Sequence, residues 1–239
     1  MPDIQKTVER QPFLDPEAFE VSLRRSYDRY WHKHPFEENL LQGKLTRKQI
    51  QGWVANRYYY QKSMPMKDAA ILSNCPVVEV RRRWIHRIIY QDGSAEGEGG
   101  LHGWLRLAEA VGLSRQDVID EKDVVPGVRF AAEAYVTFAR TSPWIESVAA
   151  SLSELYSPDL MRNRVAAFAK HYPWIDPSGY DYFNSRSQQA HIDSQYALDL
   201  VKQYCLSRTL QNRALAALSF KCDVLWSMLD SIHHAYGIG

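Results

Sequence analysis

The sequence predicts an all-helical, single-domain protein. Three observations carry that expectation. No stretch alternates apolar and polar residues, and no Asn-Gly or Asp-Gly pair is flanked by β-branched residues, so neither strand nor hairpin is expected. Apolar residues recur instead at three- and four-residue spacing. Proline and glycine punctuate the ends of these segments. About seven main helices and several short ones follow, packed as one bundle. No internal repeat or low-complexity tract is present.

Residues 1–14 read as a loose arm, and residues 15–239 as the domain. Asp15-Pro16 is a helix start, with Asp as N-cap and Pro in the first turn, and that helix is expected to run to about His34, before Pro35. A short segment from Phe36 ends at Gly43. Thr46 and Gln49 have capping-box spacing, and Ile50, Trp53 and Val54 continue as an apolar stripe. Pro65 is expected to break or kink this helix, leaving Lys67 on a following segment. Arg57 and Gln61 are one turn apart and share a face. With Lys67 around the bend and Tyr58, Tyr59 and Tyr60 beside them, they form a candidate site for a planar anion, or else a tyrosine-rich helix with solvated charges.

Pro76 starts the next helix, which reaches Gln91. Residues 92–100, DGSAEGEGG, form the glycine-rich connection. It is no phosphate loop, since it lacks a Gly-Lys-Ser/Thr end and carries three acids. Helices follow at 101–111 and from Ser114. Residues 128–140 form an amphipathic helix with Phe130, Ala131, Ala134, Tyr135 and Phe138 on one side. Pro143 and Pro158 open further helices, and 171–179 is a loop. Two long helices, 180–205 and 209–236, close the chain.

The formal charge of +1 over 239 residues argues against a broad nucleic-acid or membrane footprint while leaving room for a locally basic pocket. The three cysteines, Cys75, Cys205 and Cys222, lie far apart with neither CxxC nor zinc spacing, and read as reduced thiols of a cytoplasmic protein. The polar start is not expected to be a signal peptide, and no run reaches membrane-spanning length. No metal site is expected: no Glu-x-x-His pair exists, and His191 and Asp193 of the one candidate cluster point to different faces. Tyr182 and Arg186, one turn apart, can pair, with the cation stabilising a phenolate or a developing anion such as reduced dioxygen. Lys221 shares an apolar side with Leu218, Leu225 and Met228. It either snorkels to the surface or faces a carboxylate or an anionic ligand.

Several longer stretches resemble the pyrroloquinoline-quinone (PQQ) synthase family: IQGWVANRYYYQ with PMKDAA, PGVRFAAEAY, SLSELYSP, HYPWI with GYDYF and Ser185-Arg186, and FKCDVLWSMLDS. The resemblance spans about Pro16 to Tyr236. It implies a heme-oxygenase-like (TENA-type) bundle acting as a homodimer. It also implies an oxidase that closes and oxidises the ring of a quinone-type tricarboxylate with dioxygen, releasing hydrogen peroxide, and that needs neither metal nor organic redox cofactor. Carried over by position, the substrate-binding residues are Arg57, Gln61, Lys67, Arg87, Tyr135, Ser153 and Arg164, with Tyr182, Arg186 and Lys221 as catalytic candidates. Arg57, Lys67, Arg87, Arg164 and Lys221 are expected to clamp carboxylates.

The departures fall on histidines. Gln91, in Tyr90-Gln91-Asp92-Gly93, stands at a catalytic histidine position, and Trp31 replaces another at the substrate site. Ala95 also stands where a histidine is usual in the family, and Met161 where some members have one. Glutamine hydrogen-bonds but exchanges no proton at neutral pH. Four readings follow: a PQQ-forming oxidase; a divergent, non-catalytic binder of a PQQ-like tricarboxylate; an oxidase of a different aromatic acid; and a metal-dependent relative.

Overall fold

Helices of twelve or more residues carry the architecture, and the described residues contain seven of them. The computed structural model describes residues 12–238. The long helices are α3 (Arg47–Asn74), α4 (Val78–Asp92), α5 (Gly99–Ala110), α7 (Pro126–Thr141), α9 (Ser157–His171), α10 (Asp181–Tyr204) and α11 (Arg208–Ala235). Four short ones join them: α1 (Pro16–Arg24), α2 (Pro35–Leu41), α6 (Arg115–Ile119) and α8 (Trp144–Ala150). No strand occurs among the described residues. A single cluster of buried residues extends from Phe19 to Ile238.

α3 is the axis of the fold. Its Thr46–Gln49 capping box forms as expected. Every residue from Gly52 to Gln61 is buried, so the helix is enclosed on all sides rather than amphipathic. It packs against α4, α5 and α7, while α11 packs on α7 and α8, and α10 on α9 and α8. Gly52 admits the Tyr236 ring, which a Cβ there would meet at 2.2 Å.

Three expectations need correction. α3 does not end or break at Pro65 but continues through it to Asn74, so Lys67 belongs to the same helix as Arg57. The first helix stops at Arg24, not near His34, and tight 3-10 turns follow over Arg25–Arg29 and Trp31–Lys33. Extended Tyr30 between the turns lets Tyr30 and Trp31, about 100° apart on a regular helix, both turn inward. On α7 the buried side comprises Val128, Ala131, Ala132, Tyr135, Val136 and Ala139. Phe130 lies opposite that stripe and is 75% exposed. The arm expected over 1–14 lies outside the described residues as far as residue 11. Leu14 is pinned to α11, its N–H donating to Gln211 Oε1 at 3.0 Å and its carbonyl accepting from Gln211 Nε2 at 2.7 Å.

Candidate active site

One face of α3 builds the floor of an internal cavity of about 70 Å³. Arg57, Tyr60, Gln61, Met64, Lys67 and Asp68 line it. Their three- and four-residue spacing runs without interruption past the proline. α4 adds Arg87, Tyr90 and Gln91, and α10 adds Tyr182, Arg186 and Asp193. Trp31 closes one side, and Ser153 and Glu154 enter from a 3-10 turn, Ser151–Tyr156, between α8 and α9.

The proline explains where Gln91 sits. Pro65 has no N–H to offer the Gln61 carbonyl one turn before it. Gln91 Nε2 donates to that carbonyl at 3.2 Å and to Gln61 Oε1 at 3.3 Å. Gly100 leaves room for this side chain, since a Cβ there would lie 2.7 Å from Gln91 Oε1. Both donors of the amide are therefore committed to Gln61.

The buried cations divide into two kinds. Arg164 is fully buried and locked in a bidentate pair with Glu37, at 2.9 and 2.6 Å, with its guanidinium over the Trp31 ring. Lys67 pairs with Asp68 at 2.6 Å, and Asp68 also accepts from Trp84 Nε1 at 2.9 Å. Arg87 Nε reaches Asp68 at 3.3 Å, its Nη1 lies 3.3 Å from Asp193, and its Nη2 donates to Glu154 Oε1. Arg186 lies 2.9 Å from Glu154 Oε2 and 3.2 Å from Asp193. Burial alone would raise the Glu154 carboxyl, but Arg87, Arg186 and Lys67 hold it well below the usual carboxylate range.

Arg57 and Lys221 are the other kind. Among the described residues no carboxylate pairs with either. The Arg57 guanidinium lies 4.6 Å from the Trp31 ring centre and 4.3 Å from that of Tyr60, and its Nε has no protein partner. The Trp31 indole N–H is likewise buried and unpaired. Lys221, only 2% exposed, does not snorkel. It donates to the Tyr60 hydroxyl and faces the Tyr135 ring at 3.9 Å. Burial, with Arg57 and Lys67 beside it, pushes its amine well below the ordinary lysine value. Tyr182 corrects a further expectation. Burial outweighs Arg186 and pushes the phenol up to about 12, so it remains a proton-bearing donor rather than a phenolate.

Of the residues singled out in the sequence, Trp31, Arg57, Gln61, Lys67, Arg87 and Gln91 line the cavity, as do Ser153, Tyr182 and Arg186. Three stand behind that wall: Lys221 through Tyr60, Tyr135 through its hydroxyl contact with Ser151 at 3.3 Å, and Arg164 beneath Trp31. His32 stacks on Tyr27, and His34 bonds Asp230, so neither takes the place of the histidine missing at 31. Tyr60, read from the sequence as a neighbour of Arg57, lines the cavity as well, and Asp193, weighed in the sequence only as a metal ligand, pairs with the arginines instead. Sequence reasoning missed Asp68 and Glu154. The helical period from Arg57 across Pro65 contained the signal for Asp68, and nothing local marked Glu154.

Comparison with known proteins matches these features. The sequence profile of the TENA/THI-4/PQQC family fits residues 21–231. A pyrroloquinoline-quinone synthase of Klebsiella pneumoniae is 51% identical, over 94% of this chain and 90% of its own length. One of Pseudomonas aeruginosa is 50% identical, over 93% and 89%. Among solved structures, a heme-oxygenase-like domain of Shewanella denitrificans superposes with TM-score 0.79 at 14% identity, covering 95% of both chains. A TenA homologue of Pseudomonas syringae gives 0.71 at 13%, covering 95% of this chain and 99% of its own. The last two speak to the fold, the first two to descent, and together they place the chain in the TENA/THI-4/PQQC family, on its pyrroloquinoline-quinone synthase branch.

Proposed function

We propose that the protein is a pyrroloquinoline-quinone synthase, an oxidase that closes and oxidises the ring of its tricarboxylate substrate with dioxygen and draws on neither metal nor organic redox cofactor. The observation that carries this reading is the buried pair Arg57 and Lys221, without a carboxylate, on a chain half-identical to proteins of that name. A buried cation without a counter-ion is costly, and a ligand carboxylate supplies the missing charge.

In this reading Arg57 and Lys221 hold carboxylate or ring oxygens of the ligand. Tyr182, protonated, donates a hydrogen bond to charge developing on the ring or on reduced dioxygen, and Arg186 beside it lends a positive field. The substrate supplies the electrons. Each dioxygen takes two electrons and two protons and leaves as hydrogen peroxide. Gln91 carries no proton in this scheme, because an amide exchanges none at neutral pH, and its Nε2 instead donates to Gln61. Proton traffic falls to Tyr182, Lys221 and the Tyr60 hydroxyl that touches Lys221. The absent histidine slows the reaction without abolishing it, since one general acid or base contributes about 10²–10⁴-fold.

The test is anaerobic mixing with the family's quinone-type substrate, then air, following the visible spectrum and oxygen uptake. Growth of the PQQ chromophore with oxygen consumed is expected. A bound-ligand spectrum without oxygen uptake would overturn the enzymatic reading and leave a binding protein. We further place the protein in the cytoplasm as a homodimer, and a monomeric mass by light scattering would refute the latter. No helix among the described residues is long and apolar enough to cross a membrane.

A further inference from the structure

A carboxylate of the protein's own stands between two of the arginines that line the cavity. That carboxylate is Glu154. The three carboxylates around these arginines, Asp68, Glu154 and Asp193, are not held alike. Asp68 is also held by Lys67 and Trp84, and Asp193 by Gln189. The polar contacts of the Glu154 carboxylate are with Arg87 and Arg186. The fit is poor on one side: Oε2 lies 2.9 Å from Arg186 Nη2 without the alignment of a hydrogen bond. Both arginines would keep a carboxylate if Glu154 withdrew, Arg87 through Asp68 and Asp193, and Arg186 through Asp193. Glu154 also sits in a short 3-10 turn, whose hydrogen-bond geometry is poorer than that of an α-helix.

We propose that Glu154 is a stand-in for a ligand carboxylate: it occupies Arg87 and Arg186 in the empty protein, yields them when the substrate binds, and so sets how many anionic groups the site accepts. The charge balance supports this. At and just behind the cavity wall, six cations (Arg57, Lys67, Arg87, Arg164, Arg186 and Lys221) face four carboxylates (Glu37, Asp68, Glu154 and Asp193). With Lys221 as ammonium, the excess is two. Withdrawal of Glu154 makes it three, the charge of a tricarboxylate. The proposal rests on the functional reading above but adds a residue that this reading does not use.

The experiment is a titration of wild type and Glu154→Gln with PQQ, followed by its visible absorbance, with PQQ trimethyl ester as the uncharged probe. Glutamine keeps the shape and removes the competing charge. The variant is expected to bind PQQ at least about tenfold more tightly, as charge-assisted contacts to two arginines are no longer contested, with no gain for the ester. Equal or weaker PQQ binding by the variant, or an equal gain for the ester, would overturn the proposal while leaving the function intact. No PQQ binding by either protein would overturn the functional reading and this proposal together. If Glu154→Gln does not fold, Glu154→Asp, whose shorter arm reaches the arginines less well, is expected to bind PQQ more tightly than wild type. Unchanged or weaker binding there would overturn the proposal.

Discussion

Two walls of one cavity use buried cations in opposite ways. On the α4–α10 wall, Arg87 and Arg186 are enclosed by Asp68, Glu154 and Asp193. On the α3–α11 wall, among the described residues, Arg57 and Lys221 meet only aromatic rings, a tyrosine hydroxyl and a methionine sulfur. From the sequence all four look alike, as cations at ligand positions. The difference teaches that burial alone does not mark a ligand clamp. A cation locked to one buried partner, as Arg164 is to Glu37, holds the fold together, whereas an unpaired one keeps the fold under electrostatic strain that a ligand relieves.

Arg164 and Arg57 offer the strongest contrast. Arg164→Met leaves Glu37 buried and uncompensated, and is expected to cost about 3–5 kcal/mol of stability. Arg57→Met removes a charge with no counter-ion. Its stability, read from the same thermal or denaturant melts, should stay level or rise, while PQQ affinity falls roughly 10–100-fold. If both variants lost stability equally, the distinction between the two kinds of cation would fail.

The walls should also answer pH in the same direction but in different windows. The amine of Lys221 is depressed by burial, then by Arg57 and Lys67. Between its lowered value and 10.5 the unfolded chain carries more protons than the native one, so stability rises with pH through that window. Glu154 gives the same sign of slope in the acid range. Its arginines hold it below 4.5 despite burial, so its contribution is present above 4.5 and is lost as pH falls below that. Denaturant midpoints across pH should show both arms, and Lys221→Met should flatten only the alkaline one. The smallest effect lies outside both walls. Phe130→Ser, at an exposed site on α7, should change stability by no more than about 0.5 kcal/mol.

Local chemistry made much of the fold legible. The Thr46–Gln49 box, the Asp15-Pro16 start and the Ser114 cap all formed where their residues placed them, because each is settled within one turn of helix. Misreadings arose where a distant residue decided. Pro65 does not end α3, since a donor 26 positions later completes the helix. Tyr30 is extended because its ring and that of Trp31 both find partners inside, the half-buried Tyr156 and the buried Arg57. In the site, family resemblance supplied the cations. The pairing of Arg164 with Glu37, and of Arg87 with three acids, depends on helices far apart in the chain, and no spacing rule encodes it.

The link from Pro65 through the Gln61 carbonyl to Gln91 bears on how kinetics at position 91 are interpreted. Whatever occupies that position must offer an N–H to a backbone acceptor that the proline has orphaned. Glutamine and histidine both can, so exchanging one for the other alters the chemistry while the stitch in α3 holds. Alanine cannot, and leaves a buried carbonyl unpaired at about 1–3 kcal/mol. A dead alanine variant would thus report a frayed helix as readily as a lost reactant, and only substitutions that keep a donor there isolate the chemical question.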